Sequence, residues 1–364
     1  MPRCIQSGMT STWDLPEGEE EDGNEQCCEC CCSQLFSSEV PIKCDKSLKA
    51  SYCSTDCQDS HRKKHRQISS DKVQVKETGD GRGLGVFAVQ SFVAGDELIR
   101  ETPLLKVKNF DGQVSPSWIE LGRYISNEIE SLPEAKHHVV MSFTNAFLED
   151  HKTSKGLGIF KTNGIPCGPS GVASESCLYA LICRMNHACK SNARYVWRED
   201  LQKELVFAMK PITIGEEITV SYCNPYCSRE NRQRRLKESF KFICTCNACT
   251  VEFSQDSDNR LEEIQRLIDS VPQIAQTNPR SALQASERTL ALMETEGVDT
   301  AVNKGTIHFD AYQSACIKHD HHKALYHINQ AMQCAVLSDG PGSPMVIRCQ
   351  NLISQMNISV AAGC

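Results

Sequence analysis

The residues with the most chemistry in this chain are cysteines, 22 of 364. They are clustered, eight within 27–57 and three within 244–249. Short spacings of this kind suit metal thiolates, because a tetrahedral zinc takes four Cys or His ligands, usually as two close pairs. In the first cluster Cys28 and Cys31 make one pair, although Cys27 and Cys30 offer the same spacing and leave the register open. Cys53 and Cys57 make the second pair, at a helical spacing that puts both on one face. Cys44, His61 and His65 are weaker candidates. In the second cluster Cys244, Cys246 and Cys249 supply three thiolates, one short of a closed zinc site. Cys183, Cys189, Cys223 and Cys227 are the nearby candidates for the fourth. A separate stretch, GRGLGVFA at 81–88, is rich in glycine, which lets backbone approach a ligand closely. It does not fit a phosphate loop, since no helix start with Lys-Ser/Thr follows.

These residues need elements to hold them. Residues 1–26 are acidic and rich in Gly, Ser and Thr, and are expected to be a disordered tail. The first Cys/His cluster occupies 27–69. Strand patterns follow in VQVKET, GLGVFAVQSF and GDELIRETPLLKV, and return in YVWRED, ELVFAMKPI and EEITVSY. Residues 115–155 carry a helical pattern through Ile119, Leu121, Tyr124, Ile125 and Ile129. A basic helix, SRENRQRRLKESFKF, runs into the second cysteine cluster, and residues 255–364 hold a series of helical segments punctuated by Gly297, Gly340 and Gly342. The net charge of -7 argues against general binding to nucleic-acid backbone. No apolar run reaches membrane-spanning length, and residues 1–25 carry no apolar core of a secretory signal. Free thiols then imply a reducing compartment, so the expectation is a monomeric protein of cytoplasm, nucleus or both. His319, Asp320, His321 and His322 form a cluster that suits a solvated loop between helices better than a metal site. The basic run 61–66 has the character of an exposed helix face.

Three motifs carry a family resemblance. Arg184-Met185-Asn186-His187-Ala188-Cys189-Lys190-Ser191-Asn192 resembles the Asn-His-Ser-Cys-x-x-Asn signature of SET domains. Gly215-Glu216-Glu217-Ile218-x-x-x-Tyr222 resembles the second SET signature, and Cys244-x-Cys246-x-x-Cys249 the post-SET cysteine motif. With GRGLGVFA they make four ordered matches over 81–249. Tyr52-Cys53-Ser54-x-x-Cys57-Gln58 resembles the MYND finger over about forty residues. The chain therefore resembles the SET-MYND protein lysine methyltransferases.

The resemblance implies an α+β fold. Its parts would be a degenerate MYND-type zinc finger at 27–69, a β-rich SET domain at 73–235, a post-SET zinc flap at 236–254 and a C-terminal helical, tetratricopeptide-like domain at 255–364. It implies S-adenosyl-L-methionine and Zn2+ as cofactors and a protein bearing a target lysine as substrate. Arg82, Gly83, Leu84 and Asn163 would lie along the methyl donor, Asn186 and His187 would hold its methionine and adenine ends, and Phe242 would pack on the adenine. Tyr222 would be the catalytic residue and also face the donor. The sulfonium methyl is already activated and the lysine amine must be neutral to attack, so alignment and desolvation are the main tasks. Phe240 stands where relatives often have a second channel tyrosine, which suits addition of more than one methyl.

The resemblance also selects Cys189 as the fourth ligand beside Cys244, Cys246 and Cys249. In the finger it assigns Cys28, Cys31, Cys53 and Cys57 to one zinc. Cys44 and His65 match the second zinc, but Ser47 and Ser69 stand where its other two cysteines belong, so that site is weakened and two zincs per chain are expected. Ala188 and Lys190-Ser191 depart from the usual serine and Asp/Arg-Pro. The alternative from a different class is a non-catalytic adaptor or transcriptional regulator that keeps the SET fold and acts through protein contacts.

Overall fold

The computed structural model describes residues 42–43, 51–52, 71–108, 118–168, 175–250 and 254–361. In chain order the strands are β1 (Ile42–Lys43), β2 (Ser51–Tyr52), β3 (Val73–Glu77), β4 (Leu84–Ala88), β5 (Glu97–Glu101) and β6 (Leu105–Lys108). Three helices follow, α1 (Trp118–Glu130), α2 (Glu134–Met141) and α3 (Lys155–Asn163). Then come β7 (Ile165–Cys167), β8 (Glu175–Leu178), β9 (Asn186–His187), β10 (Ala193–Arg198), β11 (Lys203–Ala208) and β12 (Glu217–Val220). The chain finishes in α4 (Arg229–Phe240), α5 (Gln255–Ile274), α6 (Pro279–Glu296), α7 (Ala301–Ile317), α8 (His321–Asp339) and α9 (Pro344–Ala361). It divides into two compact units, residues 1–87 with 103–184, and residues 88–102 with 185–364.

In the first unit β1 pairs with β2, and β3 lies beside β4. The glycine-rich stretch is the turn between β3 and β4. The Thr78 amide closes it onto the Gly83 carbonyl at 2.8 Å. Gly83 has φ +86°, a backbone state costly for any residue with a Cβ. Strands β6, β8 and β7 form a three-stranded antiparallel sheet in that order. Leu105 and Val107 from β6, Ile125 and Ile129 from α1, and Leu157 and Ile159 from α3 make this unit's core.

The helical pattern over 115–155 resolves into α1, α2 and an irregular passage before α3. Pro133, at ψ 141°, is extended and starts α2 afresh. Beyond Met141, Asn145 accepts the Phe147 amide at 2.9 Å and Asp150 accepts the Lys152 amide at 3.2 Å, and such local bonds compete with the helix ladder. The stretch GDELIRETPLLKV is likewise two strands. Pro103 lies between them and offers no amide to a ladder.

In the second unit β10, β11 and β5 form an antiparallel sheet, and β12 runs parallel to β9 with Val220 opposite His187. Helices α5 to α9 pack each against the next, and α8 also lies on β11. Arg194 pairs with Asp339 at 3.0 Å, and Arg198 donates to the Gly342 carbonyl at 3.1 Å. Asn278 and Asp320 cap α6 and α8 by accepting the Ser281 and Lys323 amides. The Asp320 carboxylate thus serves a helix start, and the only metal-binding group among the described residues is elsewhere. No helix among those residues is long and apolar enough to cross a membrane.

Candidate active site and thiolate centre

The parallel β9–β12 pair sets the geometry. It puts His187 beside Val220, two residues before Tyr222. The Tyr222 amide donates to His187 Nδ1 at 3.0 Å, and the Tyr222 hydroxyl donates to the Met185 carbonyl at 2.6 Å. Both ends of the tyrosine are thus held by the three-residue stretch Met185–His187. Its ring lies 4.9 Å from Phe240 and 5.3 Å from His187, centroid to centroid, and His187 lies 6.1 Å from Phe242. Four rings from three chain segments form one aromatic wall, within the offset geometry that such rings prefer.

Burial pushes the His187 pKa down to about 4, so its ring is neutral. Because Nδ1 accepts a hydrogen bond, the ring proton belongs on Nε2. Nε2 lies 3.4 Å from the Cys189 sulfur, which therefore receives that proton's hydrogen bond.

The loop after His187 is tied to β12 by amides. Asn192 donates to Glu216 Oε1 at 2.9 Å and to the Glu217 carbonyl at 2.8 Å, and accepts the Thr219 amide at 2.8 Å. Asn192 is buried, so a polar side chain of this kind belongs where every bond is made. The Asn186 amide donates to Glu217 Oε1 at 2.8 Å.

The sulfurs of Cys189, Cys244, Cys246 and Cys249 all lie within 4.8 Å of one another, and those of Cys189 and Cys249 are 3.5 Å apart. A tetrahedral zinc with Zn–S bonds of about 2.3 Å separates its sulfurs by about 3.8 Å, so this donor set fits a closed Zn(Cys)4 centre. Mutual hydrogen bonds push the Cys189 and Cys244 thiols up and hold those of Cys246 and Cys249 down, so the case for a metal rests on the geometry of the four sulfurs. Cys223 is buried beside the four without joining the set. Cys183 donates to the Asn163 carbonyl and Cys227 to the Asn224 carbonyl.

Two supports of this centre carry no motif in the sequence. Gln233 on α4 grips the flap reciprocally, donating to the Cys244 carbonyl at 2.6 Å and accepting the Cys244 amide at 2.8 Å. Arg232, 3 % exposed, donates to the Cys227 carbonyl and stands 3.8 Å from Asp258, and the nearby Cys189 and Cys249 sulfurs favour its charged form. It brings a cation to a centre whose four thiolates would outweigh the charge of one zinc.

Arg82, Gly83, Leu84 and Asn163 belong to the first unit. The Arg82 guanidinium pairs with Asp80 at 2.7 Å. Bonds from Thr78 and then Arg82 hold the Asp80 carboxyl down at about 2. Around Gly83, on the side where a Cβ would stand, there is open space. Asn163 ends α3 and donates to the Thr144 and Ile159 carbonyls, each at 2.7 Å. Cys28, Cys31, Cys53, Cys57, Cys44 and His65 lie outside the described residues.

Residues 83–223 match the family model of the SET domain. That segment of the chain is a SET domain. The aromatic wall and the Asn-His turn lie inside or just beyond this SET domain, and the thiolate flap follows it. The chain is 26 % identical over 272 residues to "Histone-lysine N-methyltransferase set5" of Schizosaccharomyces pombe, covering 73 % of this chain and 79 % of that one. It is 27 % identical over 244 residues to "N-lysine methyltransferase SMYD2" of Homo sapiens, covering 65 % of this chain and 54 % of that one. The chain spans about half the length of the SMYD2 proteins it matches. A solved structure, the SET domain of LSMT bound to lysine and AdoHcy, overlaps 83 % of this chain and 91 % of that one, at 10 % identity and a TM-score of 0.34, too loose to carry an argument.

Proposed function

We propose that the protein is an S-adenosylmethionine-dependent protein-lysine N-methyltransferase acting on histone or other protein substrates. The observation that carries the proposal is the hold on Tyr222. Its hydroxyl hydrogen is committed to the Met185 carbonyl, which turns the oxygen's lone pairs toward other partners. Such an oxygen can accept from a neutral lysine amine and orient it for in-line attack, and it favours positive charge nearby. S-adenosylmethionine, when bound, supplies a methyl group activated by a sulfonium. Features within each unit suit parts of that ligand. Gly83 leaves open space beside its backbone, and the half-buried Phe242 offers a ring face for a base. Asn163 spends both its N–H donors inside the fold, which leaves its Oδ1 carbonyl to meet a ligand. Arg82, Leu84, Asn186 and His187 complete the cofactor set. Neutral His187 places no competing cation beside it.

Zinc is held by Cys189, Cys244, Cys246 and Cys249, which joins the Asn-His loop to the flap. In the finger at 27–69, Cys28, Cys31, Cys53 and Cys57 hold a second ion, with Cys44 and His65 the remnant of another site. The arrangement of parts is 1–26 tail, 27–69 finger, 73–235 SET domain, 236–254 flap and 255–364 helical domain. A monomer in cytoplasm, nucleus or both completes the reading.

The test is methyl transfer from labelled S-adenosylmethionine into a protein extract by zinc-loaded protein. Tyr222→Phe is expected to lower the rate roughly a hundredfold while cofactor binding, measured by calorimetry, persists. Cofactor uptake with no transfer by either protein would favour the adaptor reading instead.

A further inference from the structure

Two cysteines in the sheet β6–β8–β7 take no part in either site above. Cys167 ends β7 and Cys177 lies in β8, ten residues later in the chain. In the antiparallel register Ile165 faces Cys177 and Cys167 faces Glu175. Side chains alternate between faces along a strand, so Cys167 and Cys177 are a diagonal pair on one face. Their sulfurs are 2.6 Å apart. A disulfide bond is about 2.05 Å long, so little movement separates this contact from a bond. Both side chains are buried, at 2 % and 0 % exposure. Lys106 on β6 stands opposite Cys177 in register, its ammonium 2.5 Å from Glu175. The Cys167 thiol hydrogen bond, then that of Tyr179, then the Lys106 charge hold the Cys177 thiol below its ordinary value. The Cys177 bond and burial push the Cys167 thiol up. The pair is therefore unequal, with Cys177, the one opposite Lys106, the more acidic of the two, although burial and Glu175 oppose its loss of a proton.

We propose that Cys167 and Cys177 are a reversible disulfide pair, closed by a hydroperoxide and reopened by a dithiol reductant, that staples β7 to β8. In the first step the Cys177 thiolate attacks a peroxide oxygen. The O–O bond breaks, Cys177 becomes a sulfenic acid, and the other oxygen leaves as water or alcohol after taking a proton. In the second step the Cys167 sulfur attacks the Cys177 sulfur. The S–S bond forms, the S–O bond breaks, and the hydroxyl leaves as water with the Cys167 proton. Two thiols lose two electrons and the hydroperoxide gains them. Reopening returns both thiols as the dithiol becomes a cyclic disulfide.

Access is a matter of local opening. β7 is three residues long and forms an edge of its sheet, so one short strand, not the fold, must part to admit a small oxidant. The staple also bears on Asn163, because β7 begins two residues after it and the Cys183 thiol donates to the Asn163 carbonyl at 3.2 Å. Closing the bond restrains the strand that leaves this turn.

The test uses the full zinc-loaded chain, equilibrated without denaturant in glutathione buffers of graded oxidation or treated with hydrogen peroxide. Remaining thiols are alkylated after unfolding, and the chain is digested without reductant. The expected result is one peptide pair joined through Cys167 and Cys177, lighter by two hydrogens than the separate thiol peptides and abolished by dithiothreitol. The oxidised chain should also melt at a higher temperature, a rise absent from Cys167→Ala and from Cys177→Ala. The inference is overturned if both cysteines are recovered alkylated at every glutathione ratio, or if they are found bonded to other cysteines. Because the readout is covalent, it does not depend on methyl transfer, and the two proposals stand or fall separately.

Discussion

Replacing Arg232 by methionine tests whether the thiolate flap rests on a buried charge pair. Methionine keeps the length of the side chain and removes its charge and its donors. Arg232 is 3 % exposed and Asp258 is 5 % exposed, so neither charge has water to fall back on. Breaking one partner of a buried pair costs about 3–5 kcal/mol, because the survivor is stranded. Asp258 keeps the Arg229 amide, 2.9 Å from both its oxygens, which moves the expected loss to the lower end, about 3 kcal/mol. The Cys227 carbonyl also loses its donor. Urea unfolding of the zinc-loaded protein measures the loss, and chelator competition should show weaker metal retention. Adding Asp258→Asn to Arg232→Met removes the stranded charge and should recover about 1–2 kcal/mol, read as a non-additive double-mutant cycle. A single-variant loss below about 1 kcal/mol, or strict additivity, would refute the account.

Cys249→Ser should lower zinc content by one ion per chain, measured on the folded protein, and release the flap to proteolysis; unchanged metal content would argue against the four-thiolate centre. Gly158→Ala should destabilise the first unit by about 1–3 kcal/mol, because a Cβ there meets the Asn145 side chain that caps the Phe147 amide. The buried His308–His327 pair, Nδ1 to Nδ1 at 3.0 Å, makes stability depend on pH. Burial, then the facing His327 and the Lys304 charge, hold His308 at about 4; burial also lowers His327, which Glu287 opposes and Lys323 assists. The unfolded histidines titrate near 6.5, so between there and about 4 the unfolded chain binds more protons. Stability from this pair is therefore complete above about pH 6.5 and falls on acidification, by on the order of 2 kcal/mol at His308. Melts at neutral and mildly acid pH should show a smaller drop in His308→Gln than in the wild type.

The motifs were legible because their residues are nearly contiguous and the chemistry needs particular types. Asn186-His187, Tyr222 and the Cys244–Cys249 run are of that kind. Strand alternation made β3, β4, β10, β11 and β12 readable, and helical periodicity gave α5 to α9. Shorter elements left no such trace. β7 has three residues, one of them proline, and β9 has two. Apolar spacing continues past Glu130, whereas Pro133 and the side chains of Asn145 and Asp150 decide where helix stops. Arg232, Gln233 and Asp258 were invisible for another reason. On a basic helix and at an acidic helix start they look like solvated charge and capping, and only the meeting of α4, α5 and the flap gives them partners. The role of Met185 could not be found from its side chain at all, since its backbone carbonyl does the work.

One imidazole spans two functions. With Nδ1 on the Tyr222 amide and Nε2 on the Cys189 sulfur, His187 couples how negative that sulfur is to how firmly the tyrosine is seated. A metal-bound thiolate is a stronger acceptor than a thiol, so stripping the ion slackens one end of the ring and lets the other drift. Metal occupancy would then be felt first as looseness at Tyr222, before any global unfolding, and the flap would act as a sensor of its own loading.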